Sequence, residues 1–95
     1  MPAYVIAQID IHDQKAYELY REQVPATIAQ YGGRYLARGG TTQTLTGTWN
    51  APRLVILEFP SMEQARAWWG SPEYTPLRQI REGCSTGNIL LVQGL

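Results

Sequence analysis

Arg34 and Arg38 stand four residues apart in "GGRYLARGG", residues 32–40, between two glycine pairs. On an extended strand residues i and i+4 share a face, so this spacing aims two permanent cations the same way. A guanidinium grips a carboxylate or enolate through two parallel N–H donors, and a neighbouring carboxylate can orient such a ligand or move its proton. Glu58 and Asp10 are the candidates for that acid–base work, each near the end of an apolar run. Two roles fit the four residues: an ion-pair network that fixes register against a partner sheet, where buried charges must be paired, or an anion clamp. His12, the single histidine, follows Asp10 by two residues. The two can share a strand face, but two ligands do not make a metal site, and none is expected. Trp49, Trp68, Trp69 and Tyr74 are heavy aromatic use for 95 residues. They serve as packing and interface groups, or as walls for a planar ligand, with Trp49 or Trp68 covering its apolar part.

The elements that must position these groups form two similar halves. "AYVIAQIDI" (Ala3 to Ile11) reads as strand one from its β-branched and aromatic residues. Asp13 is suited to cap the following helix, where Tyr17, Tyr20, Val24, Ile28 and Tyr31 recur at spacings of three and four. Pro25 removes a hydrogen bond from that helix, which predicts a kink or two helical pieces, and Gly32 and Gly33 end it. "RYLARG" is strand two. Gly39 and Gly40 mark a bulge or bend at its end, and no helix follows them to make a phosphate-binding loop. "GTTQTLTGTWNAP" (Gly40 to Pro52) is a threonine-rich connection with room for a short strand at Thr44 to Thr46, and "RLVILEF" (Arg53 to Phe59) is strand three. Ser61 and Gln64 form a capping box for helix two. Ser71 and Pro72 start a further helix with Leu77, Ile80, Arg81 and Cys84 on one side. Gly87 and Asn88 make the last turn before "ILLVQGL", strand four.

Strand, helix, strand, strand, helix, strand is the ferredoxin-like split βαβ order, an α+β fold with a four-stranded antiparallel sheet and helices on one face. Val5, Ala7 and Ile9 with Val55, Leu57 and Phe59 give one wholly apolar side, and Gln8, Asp10, Arg34, Arg38 and Glu58 fall on the other. With strands one and three side by side and parallel, and strand two antiparallel beside strand three, Asp10, Glu58 and Arg34 meet at one end of the sheet. His12 lies just beyond, and Arg38 sits further along. A pocket between sheet and helices, where Ala7, Ala37 and Gly39 leave space, is the alternative location.

Composition narrows the function classes. One domain over residues 1–95 is expected, with a modest core and reason to dimerise. Apolar residues make up 44%, and eight basic side chains balance eight acidic ones. With a pI of about 6.5 there is no electrostatic footprint for nucleic acid or anionic lipid. The apolar runs are too short to span a bilayer, and the N-terminus lacks a signal-peptide pattern. The lone Cys84 excludes an internal disulfide framework and reads as core filler, reactive only if exposed beside a cation such as Arg81. A cytoplasmic protein is the expectation. Pro2, as a secondary amine after loss of Met1, offers the base that tautomerases use, but the rest of the chain is unlike theirs.

Over essentially its whole length the chain resembles the domain of unknown function 1330 family. The likeness rests on "MPAYVIAQIDIHD", "YGGRYLARGG", "GTW", "RLVILEFPSMEQARAWWGSPEY" and the "ILLVQG" ending. The resemblance implies a dimeric α+β barrel, two ferredoxin-like sheets packed across a dimer axis. It also implies kinship with cofactor-free monooxygenases, muconolactone isomerases and haem-binding proteins. It implies no agreed reaction and no catalytic residues. The resulting expectation is a homodimer, without a cofactor, that binds a small anionic or aromatic molecule through Arg34, Arg38, Asp10, His12, Glu58, Trp49 and Trp68. A cofactor-free enzyme using Glu58 or Asp10 and a purely structural module are the alternatives.

Overall fold

The computed structural model describes residues 1–50 and 53–95. Its elements are β1 (Ala3–Ile11), α1 (Gln14–Gln30), β2 (Arg34–Arg38), β3 (Arg53–Phe59), α2 (Met62–Trp69), α3 (Thr75–Cys84) and β4 (Ser85–Gln93). The strands form an open sheet in the order β2-β3-β1-β4, with every neighbouring pair antiparallel. This is the expected ferredoxin-like α+β architecture, with one correction: β1 and β3 run antiparallel, not parallel. The α1 crossover returns the chain in β2 to the direction of β1, and the reversal after β2 then opposes β3 to both.

Alternation along β1 divides the sheet. Ala3, Val5, Ala7 and Ile9 are buried under the helices, joined by Leu57 and Phe59 of β3 in a single core. Tyr17, Tyr20, Val24 and Ile28 of α1 close over them, as their helical spacing predicts. The opposite face, with Ile6, Leu54, Ile56, Leu36, Leu90 and Val92, carries no second layer among the described residues, which form a slab of 34 × 32 × 17 Å.

Local chemistry sets the boundaries. The Asp13 side chain accepts from the Ala16 N–H, and Ser61 from that of Gln64, so both N-caps form. The Gln64 side chain donates instead to Tyr31 O at 3.2 Å, and no return bond to the Ser61 N–H completes the capping box among the described residues. Gly32, at φ +80°, ends α1: its N–H reaches Ala29 O and that of Gly33 reaches Ile28 O, the paired bonds of a Schellman terminus. Pro25 does not divide α1, which is one helix of 17 residues. The carbonyl left without its N–H partner is that of Arg21, four residues back, and Arg38 Nη2 donates to it at 2.6 Å. The bond lost to proline is replaced from a neighbouring strand.

Elsewhere the elements differ from expectation. Residues 72–74 form a turn and α3 starts at Thr75, because the Ser71 hydroxyl ties the turn by accepting from Tyr74 N–H and donating to Trp68 O. Thr44 to Thr46 form no strand, and residues 40–50 are exposed. Ala51 and Pro52 of that connection lie outside the described residues. Gly87 and Asn88 belong to β4 rather than to a turn, for β4 follows α3 directly. A β-carbon at Gly87 would overlap the backbone carbonyl of Gln8 on β1. Gly87→Ala is therefore expected to lower stability by about 1–3 kcal/mol, as overpacking does, with a fall in Tm of ~4–8 °C per kcal/mol in thermal unfolding.

The largest departure is in β2. Tyr35 pairs with Leu57 and Ala37 with Ile56, so Leu36 is an extra residue in a β-bulge. The bulge reverses the facing of the residues after it. Arg34 pairs with Glu58 on the open face, whereas Arg38 pairs with Val55 and turns under the helices. The two arginines do not share a face.

Candidate functional site

Between sheet and helices lies a narrow cleft with about 40 Å³ of free space, open to solvent on one side. Its floor is Val5, Ala7 and Ile9 of β1 with Val55 and Leu57 of β3 and Ile89 of β4, and α1 forms its roof through Tyr17, Tyr20 and Val24. Small Ala7 gives the floor its depth. Trp68, Trp69 and Tyr74 wall one end. Four guanidiniums also border it, those of Arg21, Arg38, Arg53 and Arg81, and no carboxylate is among its lining residues.

Three of these cations are held by aromatic rings. Arg38 lies 4.6 Å from the Tyr35 ring centroid, Arg53 5.4 Å from that of Tyr17, and Arg81 6.0 Å from that of Trp69. Gly39, at φ +68°, makes room for Arg53, since a β-carbon there would overlap its guanidinium. Arg53 Nε and Arg81 Nε are buried without a hydrogen-bond partner among the described residues. A desolvated donor left unmade is costly, and more so when charged.

The far wall is tightly built. Trp68, 2% exposed, stacks on Tyr74 at 4.0 Å and packs on Phe59 at 5.4 Å. Its indole N–H donates to Thr27 Oγ1 at 3.1 Å, and that hydroxyl donates to Val24 O. The hydroxyls of Tyr20 and Tyr74 share a buried 3.0 Å hydrogen bond. Burial, and next the neighbouring Tyr74, push the Tyr20 phenol far above its ordinary range. It stays protonated at neutral pH, a donor rather than a base. Burial likewise raises the Cys84 thiol, with Asp13 adding to the effect, so this cysteine packs and does not react.

Of the residues expected from sequence, Arg38 and Trp68 line this cleft. Arg34 and Glu58 form a 2.8 Å ion pair on the open face, and with the Arg34 side chain 69% exposed such a pair is worth ~0–1 kcal/mol. Asp10 does not join them. It pairs with Thr86 at the opposite end of β1, six residues from Tyr4, which faces Glu58, and so ~20 Å away. His12 lies at that same far end, hydrogen-bonded through Nε2 to the Thr86 hydroxyl at 2.9 Å. Trp49 is 52% exposed in the long connection. Of the space-making residues, Ala37 falls on the open face, paired with Ile56. Arg21, Arg53, Tyr17 and Tyr20 line the cleft without having stood out as site residues in the sequence. Arg53 had a usable signal: it alternates with Val55, Leu57 and Phe59, the apolar side of its strand.

A sheet open on one face, with a cationic, ring-lined cleft on the other, defines a ferredoxin-like α+β protein. The chain belongs to the family described as domain of unknown function (DUF1330), whose sequence profile matches residues 2–95. No functionally curated protein matches the sequence. Among solved structures it is similar to RPA0582, a protein of unknown function from Rhodopseudomonas palustris. That match has 16% identity and a TM-score of 0.81, and covers 99% of this chain and 82% of that one. It is also similar to SnoaB, a cofactor-independent oxygenase from Streptomyces nogalater, at 13% identity and a TM-score of 0.68, over 99% and 93% of the two chains. Rv0793 of Mycobacterium tuberculosis is similar at 19% identity and a TM-score of 0.58, over 100% and 96%. No helix among the described residues is long and apolar enough to cross a membrane.

Proposed function

We propose that this protein is a cytoplasmic homodimer that binds a small, planar, anionic molecule in the cleft between sheet and helices. The observation that carries the reading is the lining itself: several aromatic rings and four guanidiniums, of which Arg21 alone has an ion pair among the described residues, to Glu18 at 3.5 Å. Such a cleft favours an anion, and its ring walls favour a flat one. Arg38 and Arg53 grip the acidic group, while Trp68 and Tyr17 cover the apolar body. Titration of the protein with simple aromatic carboxylates, followed by tryptophan fluorescence and calorimetry, tests it directly. Saturable binding supports the reading, and the absence of binding across the series sinks it.

Dimerisation through the open sheet faces is supported by the apolar stripe of Ile6, Ile56 and Leu90, since domains cover such a face with a second layer. The Arg34–Glu58 pair then sits in the interface. Ile56→Glu is expected to convert the dimer to a monomer in sedimentation velocity while circular dichroism stays native. A wild-type monomer would refute the arrangement.

A second reading, a cofactor-free enzyme of oxygenase or isomerase type, draws on the likeness in fold to the cofactor-independent oxygenase SnoaB. Glu58 and Asp10 do not line the cleft, so hydrogen bonds to a reacting oxygen there fall to the Tyr20 and Tyr74 hydroxyls. Turnover of quinol-like or lactone substrates separates this reading from binding alone.

A further inference from the structure

The two edges of the sheet are unlike. β2 has five residues, an arginine at each end and a bulge at Leu36, features by which natural sheets discourage a further strand. β4 has none of them. Its nine residues, "STGNILLVQ", carry no charge and no proline, and they pair with β1 in unbroken register from Ser85 to Gln93. No strand among the described residues pairs with its outer side. The outward N–H and C=O groups of β4 are thus a template for one more strand.

A groove runs beside this edge. Between α2 and β4 it has about 340 Å³ of free space, with Ala65, Trp69 and Gly70 on the helix side and Ile89 and Leu91 on the strand side. Past Trp69 and Ile89 it continues as a second hollow, of about 400 Å³, that reaches Thr86 and Gly87. An extended chain laid along β4 turns every second side chain to the helix side of the sheet, where the apolar hollow can take one. The one charged residue lining that hollow among the described residues is Arg66, exposed and without an ion pair there. The β4 of a second copy would bring it no carboxylate.

We infer that the β4 edge is a docking site for an extended segment of a partner protein, added as a fifth strand, with an apolar side chain in the Trp69 groove and an acidic one beside it for Arg66. The site does not depend on what the cleft binds. The test is amide hydrogen exchange of the full chain by NMR, with the probe peptide acetyl-Thr-Glu-Val-Leu-Val-Glu-Thr-amide, whose glutamates share a face with its leucine. Exchange of alternate β4 amides is expected to slow about tenfold when the peptide stands at about ten times its Kd. The same peptide N-methylated at its three central residues should leave exchange unchanged, since it lacks the donors to pair. Replacing both glutamates by glutamine should weaken binding about two- to fivefold, the worth of an exposed ion pair, and in R66M that difference disappears. No slowing by the acidic peptide, or equal slowing by the N-methylated one, overturns the added strand. Outer β4 amides as protected in the protein alone as those of β1 would mean that a second copy already covers the edge, which overturns an outside partner. Equal binding of the glutamate and glutamine peptides overturns the acidic preference.

Discussion

Trp68→Ala is expected to cost about 3–5 kcal/mol of folding stability, the range for removing a buried aromatic side chain. The site explains why the upper half of that range applies. Trp68 joins four parts of the fold: it sits on α2, packs on Phe59 of β3, stacks on Tyr74 ahead of α3, and donates to Thr27 of α1. No neighbour can close the space, because Tyr74 and Phe59 are themselves fully buried and fixed by their own contacts. Small domains have only ~5–15 kcal/mol in total, so this variant sits near the limit of folding. Urea denaturation and thermal unfolding should show it, with Tm lowered on the order of 15–30 °C. A loss under ~1 kcal/mol would mean that the wall of the cleft is looser than its geometry indicates.

Arg53→Met should act in the opposite way on stability and strongly on binding. Its guanidinium is enclosed by Tyr17 and the Gly39 backbone, with Nε unpartnered, so removing the charge relieves a desolvation cost. Unfolding free energy is expected to stay level or rise slightly. Affinity for an aromatic carboxylate should fall about ten- to a hundredfold or more, since one charge-assisted contact to the anion is worth ~1.5–3 kcal/mol. Fluorescence titration paired with denaturation reads both effects on one sample. Arg53→Lys, which keeps the charge but not the fork, should lie between. Across neutral pH the affinity should be flat, because guanidiniums stay charged and the Tyr20 phenol stays protonated. If Arg53→Met lost stability and kept its affinity, the residue would be structural and the cleft would need another anchor.

Much of the fold was legible because it depends on periodicity. The alternation of Val5, Ala7 and Ile9, the helical stripe from Tyr17 to Ile28, and the caps at Asp13 and Ser61 are local signals that survive folding. The candidate site was less legible because it depends on parity and on direction. Treating β1 and β3 as parallel moved Asp10 to the wrong end of the sheet, an error that no side chain in either strand could reveal. Strict alternation puts Arg38 on the wrong face, since nothing in "RYLAR" announces that Leu36 will be skipped by the ladder. Pro25 and Arg38 were each conspicuous alone. Their link, a carbonyl stripped of its amide and served by a strand arginine, is visible only in three dimensions.

The bulge at Leu36 gives β2 a divided allegiance. A regular strand of five residues shows alternate side chains to the same compartment throughout, whereas this one puts Arg34 outside and Arg38 inside. The charge of the interior is thus governed by how many residues are counted between Tyr35 and Ala37, and not by residue identity alone. A chain that lost or gained one position there would trade a cation between its two surfaces without altering a single codon for arginine. In this fold, chain length at the sheet edge is a lever on the charge of the cleft as direct as any substitution within it.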